Sequence, residues 1–102
     1  MTPTTEIPIQ KQIIDYLKLM GFIVFRLNAG KGRYNQYLCP NGTPDLMAIK
    51  KHHHVWIEVK AGKNEPTPEQ EEMHKKLRAA GQIVITVRSL DEVREWLEPV
   101  RP

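Results

Sequence analysis

Residues 42–60 read GTPDLMAIKKHHHVWIEVK. Leu46, Met47, Ala48 and Ile49 form one short apolar run; Val55, Trp56, Ile57 and Val59 form another. Short apolar runs separated by a polar KHHH segment are the pattern of two strands joined by a turn. The spacing predicts strands at about 45–50 and 55–60. Yet Asp45 opens the first, and Glu58 and Lys60 close the second. Side chains alternate across a strand, so Glu58 and Lys60 share one face while Ile57 and Val59 take the other. In a hairpin, the start of the first strand lies beside the end of the second. Asp45 is therefore expected next to Glu58 and Lys60, so that two carboxylates and an ammonium converge at one end of a sheet.

Working outward, Thr4 and Thr5 can cap a first helix whose apolar stripe is Ile9, Ile13, Leu17 and Met20. Gly21 ends that helix, and FIVFRL, residues 22–27, reads as a strand. Residues 28–44, rich in Gly, Asn and Pro, read as a long loop or irregular hairpin. Beyond the central pair, Thr67, Pro68 and Gln70 form a capping box with proline at the first helical position. This helix should run to about Ala80, stopped by Gly81. IVITV, residues 83–87, is a strand, and Ser89 with Glu92 opens a last helix through Leu97, ended by Pro99.

The resulting order is α-β-β-β-α-β-α. Three near-consecutive strands suggest an antiparallel meander, and a fourth, reached through a helix, can pair in parallel by a crossover. The expected architecture is α/β (α+β), a mixed sheet flanked by helices.

A chain of 102 residues suffices for one domain with a single core. No apolar run is long enough to span a bilayer, and no signal-peptide pattern opens the sequence. Cys39 is the only cysteine, which excludes an internal disulfide and suits a reducing, intracellular setting. The net charge of +3 is uneven: residues 1–60 hold eight Lys/Arg against four Asp/Glu, residues 61–102 seven against eight. The excess lies in the half containing the charged strand ends. A local basic surface favours an anionic partner such as nucleic acid, although it also serves solubility.

Two neighbouring carboxylates repel, and partial burial adds to the cost. A divalent cation relieves both. Mg²⁺ in particular takes a few carboxylates, water and substrate phosphate oxygens rather than a full protein cage. The backbone carbonyl of Val59 can supply a further oxygen. Lys60 can hold an attacking water or the charge developing on a phosphate. These parts suffice for metal-assisted phosphodiester hydrolysis. The competing reading is a structural salt bridge at a frayed sheet end.

The pattern Pro44-Asp45 … Glu58-Val59-Lys60 resembles the PD-(D/E)XK nuclease signature. More narrowly, the chain is similar to the virus-type replication-repair nuclease family, VRR-NUC. The likeness includes Glu6 with Gln10, then FRLNAG, GTPDLMAI, WIEVKAG, and TPEQ before a helix ending LRAAG. It implies a restriction-endonuclease-like core over residues 1–102 as one nuclease domain. It further implies Asp45 and Glu58 as metal-binding carboxylates, Lys60 as the catalytic lysine, Gln70 as a supporting residue, and Glu6 as an additional metal or water contact. Gln70 also has a purely structural reading in its capping box, and Glu6 one as a first-turn acid favoured by the helix dipole.

Lys31, Arg33 and Tyr34, with Tyr37 nearby, suit phosphate contact and stacking on unpaired bases. GKG at residues 30–32 lacks the spacing of a nucleotide-binding Walker loop. His52, His53 and His54 are expected in a solvated turn, His74 on a helix surface, and Trp56 and Trp96 in packing roles. Cys39 shows no partner in the sequence. The expected function is a Mg²⁺- or Mn²⁺-dependent, structure-specific DNA endonuclease. The resemblance to small stand-alone members, often of phage origin, implies four-way-junction resolution by a homodimer in the cytoplasm of a bacterial or phage-infected cell. A flap, nicking or restriction-like nuclease, or a non-catalytic nucleic-acid-binding module, are the alternatives.

Overall fold

A computed structural model describes residues 6–27 and 39–97. The elements are α1 (Glu6–Leu19), β1 (Ile23–Arg26), β2 (Leu46–Lys50), β3 (His53–Val59), α2 (Pro68–Ala79), β4 (Ile83–Val87) and α3 (Leu90–Leu97). The order is the expected one. The four strands form one sheet in the order β1-β2-β3-β4, antiparallel between the first three and parallel between β3 and β4. The α2 crossover makes that last, parallel pairing possible.

Period-two alternation divides the sheet. Leu46 lies opposite Ile57 and Ala48 opposite Val55, while Ile57 and Val59 pair with Ile85 and Val87. All point to one face, where Ile9, Ile13 and Leu17 of α1 and Val93 and Leu97 of α3 complete the core. Asp45, Glu58 and Lys60 belong to the other face, over which α2 packs. Among the described residues no helix is long and apolar enough to cross a membrane.

Sequence and structure differ at the ends of elements. β1 is shorter than expected, because Phe22 turns into the core and its N–H bonds the Leu17 carbonyl at the end of α1. Only His52 of the three histidines lies in the turn. Lys50 pairs with His53, leaving Lys51 and His52 as a two-residue hairpin loop, with Lys51 at φ 55°. Such a short loop matches the twist of the flanking strands, and it draws His53 and His54 into β3. All three histidines remain exposed.

The capping box on α2 is complete: the Thr67 N–H donates to Gln70 Oε1 (2.8 Å) and the Gln70 N–H to Thr67 Oγ1 (3.2 Å). On α3 only half of the expected box forms. The Glu92 N–H donates to Ser89 Oγ, but the Glu92 carboxylate accepts from the Arg88 N–H, one residue before the cap. The proposed caps Thr4 and Thr5 and the stop at Pro99 lie outside the described residues.

Candidate active site

Asp45 is held by main chain on two sides. Its carbonyl accepts the Leu27 N–H at 2.8 Å, and its Oδ2 accepts the Val59 N–H, also at 2.8 Å. The carboxylate is thereby pinned to the end of β3, one residue beyond Glu58. The turn before it is tight: the Thr43 hydroxyl donates to the Pro40 carbonyl at 2.6 Å, and Thr43 and Pro44 are buried. Gly42, at φ 86°, lies against the first turn of α2, so close that a Cβ there would overlap the Glu69 carbonyl. This contact locks the Asp45 turn to the helix carrying Gln70.

Gly42→Ala should therefore displace α2 or the turn. Left-handed strain and the backbone overlap together should cost about 2 kcal/mol or more. Urea unfolding measures this; an unchanged midpoint would show that the turn does not depend on this approach.

Glu58 is 0% exposed. Lys60 Nζ stands 3.8 Å from its Oε2, and Gln70 Nε2 donates to the same oxygen at 3.4 Å. His74 Nε2 is 3.5 Å from its Oε1, a separation too long for a good hydrogen bond. Glu58 Oε1 and His74 Nε2 are the two buried side-chain polar atoms, among the described residues, that lack a hydrogen-bond partner. Burial pushes the Glu58 pKa up to about 9, aided by the Asp45 carboxylate and, least of all, by the charge of Glu6; Lys60 opposes the rise without cancelling it. Burial also lowers the His74 pKa, with the Arg78 charge adding to the effect.

The structure thus brings Asp45, Glu58, Lys60 and Gln70 together, with Glu6 half-buried and within electrostatic range. Gln70 satisfies both readings of the sequence. Its carbonyl oxygen closes the capping box and its amide nitrogen reaches Glu58. Lys31, Arg33, Tyr34 and Tyr37 lie outside the described residues.

Three expectations are corrected. His74 is not a surface residue: it is 3% exposed, because it stands one turn after Gln70 and faces the same strand. That i, i+4 spacing was the signal available in the sequence. Trp96 is 55% exposed rather than packed, whereas Trp56 is half-buried with its Nε1–H on Gln82 Oε1 at 2.8 Å. Cys39 does have a partner, donating from Sγ to the Leu27 carbonyl at 3.1 Å.

A mixed four-stranded sheet between helices, with Asp and Glu-x-Lys meeting at its end, defines a nuclease of the PD-(D/E)XK type. Residues 8–96 match the family model for archaeal Holliday junction resolvase (hjc), and the chain belongs to that family. Two solved structures share the fold. One, described as a VRR_NUC domain, is 26% identical with a TM-score of 0.73, covering 94% of this chain and 97% of its own. Another, a VRR_NUC domain protein, is 21% identical at a TM-score of 0.73, covering 95% and 88%; this likeness bears on the fold alone. The similarity to VRR-NUC read from the motifs is borne out. No curated protein sequence matches the chain.

PD-(D/E)XK nucleases generally use divalent metal ions. The residues here fit such an ion. A wholly buried carboxylate with one oxygen lacking a partner, raised in proton affinity beside a second carboxylate, is a site short of positive charge. Among the described residues no cluster of three or more His, Cys, Asp and Glu forms a metal cage. Two carboxylates are the partial set that Mg²⁺ takes when water and substrate phosphate complete its shell.

Proposed function

We propose that residues 1–102 form one nuclease domain, a structure-specific DNA endonuclease that resolves four-way junctions as a homodimer and depends on Mg²⁺ or Mn²⁺. The observation carrying this reading is the fully buried Glu58, set between Asp45, Lys60 and Gln70 at the end of β3. A structural salt bridge needs neither a second carboxylate nor a carboxyl whose proton affinity is raised by burial. The family's name supplies the junction as substrate.

Asp45, Glu58 and the Val59 carbonyl would hold the ion, with Glu6 as a further contact. When bound, it supplies Lewis acidity toward the phosphate and lowers the pKa of water. The protein groups do the rest. Lys60, buried beside Glu58, would hold the attacking water or the charge developing on the phosphate as the ester bond breaks. Gln70 orients Glu58, and the Val59 N–H orients Asp45. Lys31, Arg33 and Tyr34 are assigned to DNA contact on their chemistry.

Support for a dimer comes from the α2 side of the sheet. Ile23 and Phe25 of β1 are 61% and 46% exposed, beside half-buried Ile49 and Met47 of β2. A twofold pair built on this apolar strip would bring two sites to one junction.

Four-way junctions, flaps and plain duplex, each end-labelled, test the reading, with sedimentation giving the mass. Paired symmetric cuts in the junction by a species of twice the chain mass are expected. Cuts confined to flaps by a monomer would leave a nuclease and discard the resolvase. Metal-independent binding with no cutting would make the chain a binding module. Asp45→Ala should lower cutting about 10³-fold. It also leaves the Val59 N–H without its partner, at a stability cost of about 1–3 kcal/mol.

A further inference from the structure

Resting on the metal-dependent reading of the site, the geometry points to His74 as a positioning residue, whose imidazole fixes the Glu58 carboxylate through its Oε1. His74 carries none of the signature's roles. Two observations carry this. First, α2 presents two polar side chains one turn apart to the same carboxylate. Gln70 Nε2 donates to Oε2 and His74 Nε2 stands 3.5 Å from Oε1. The terminal torsion of a glutamate is otherwise broad, and donors on both oxygens would restrict it. Second, His74 Nε2 and Glu58 Oε1 are each buried without another hydrogen-bond partner. Buried polar atoms of this kind are rare, and here two face each other.

A small approach of the ring would close 3.5 Å into a hydrogen bond, and an ionised Glu58 would draw it in. The helix then helps hold the carboxylate's plane while the ion binds. Groups that orient metal ligands in this way commonly change metal affinity by about 10–100-fold when removed.

The test is calorimetric titration of Mn²⁺ into metal-free wild type, His74→Leu and His74→Gln, with urea unfolding of each in chelator. His74→Leu keeps the bulk and loses the donor; His74→Gln keeps an N–H. Mn²⁺ binding should weaken about 10–100-fold in His74→Leu and recover most of that loss in His74→Gln, with both variants folded. Wild-type affinity in folded His74→Leu would overturn the proposal. So would a His74→Gln protein that folds but binds as weakly as His74→Leu. Should His74→Leu fail to fold, His74→Gln decides alone: affinity within a few-fold of wild type supports the role, and a loss near 100-fold removes it. No Mn²⁺ binding by wild type would instead sink the metal reading itself, and the role of His74 with it.

Discussion

Glu58→Gln is expected to lower cleavage about 10³-fold and, in chelator, to make the protein more stable at pH 8 than wild type. These opposite effects have one cause. In the folded protein Glu58 holds its proton up to about pH 9, against an ordinary glutamate value of 4.5, because burial and Asp45 both disfavour the charge. Between those pH values the folded state binds more protons than the unfolded chain. Wild-type stability in chelator should therefore fall as pH rises from about 5 to about 9, by a few kcal/mol in total. Glutamine keeps the shape and the contact with α2 but has nothing to titrate, so the slope should vanish. Urea unfolding at pH 5.5 and 8.5 measures this, and equal slopes in both proteins would mean that Glu58 does not govern it. Added Mg²⁺ or Mn²⁺ should restore alkaline stability to wild type and not to the variant.

Lys60→Met is expected to lower turnover by about 10²–10³-fold while junction binding stays near wild type. The ammonium is buried at the end of the sheet, 3.8 Å from Glu58 Oε2, where little water competes for what it holds. Methionine fills much of the same volume without the charge. The fold should survive: with Lys60 gone, Glu58 keeps its proton still more firmly, so no unpaired carboxylate is buried at neutral pH. Lys60→Arg should not rescue turnover, since a planar guanidinium cannot occupy the space of a compact ammonium. A loss confined to KM would show that Lys60 binds DNA rather than assisting the chemistry.

Much of this site could be read from the order of residues. Alternation within WIEVK put Glu58 and Lys60 on one face, and the hairpin brought Asp45 to them; the register confirms the geometry by pairing Leu46 with Ile57. The capping box placed the start of α2, and with it Gln70. What escaped was what the third dimension decides. His74 sits among Glu and Lys in a strongly polar helix, so its i, i+4 spacing from Gln70 was a weak signal until the docking of α2 on Glu58 turned it inward. The histidines after Lys51 suggested a turn by polarity, yet a two-residue loop leaves His53 and His54 to β3. Trp96 suggested packing by its chemistry, whereas α3 buries Val93 and Leu97 and leaves the indole outside. The close approach of Gly42 to α2 has no local signal, because the two segments meet only in the fold.

The most direct test of the account is cleavage of a labelled four-way junction by wild type and Asp45→Ala, each in Mg²⁺, in Mn²⁺ and in chelator. Wild type should cut with either metal and not in chelator, and the variant should cut about 10³-fold more slowly than wild type in Mg²⁺ and in Mn²⁺. Cutting by wild type that persists in chelator, or by Asp45→Ala at the wild-type rate, would contradict it.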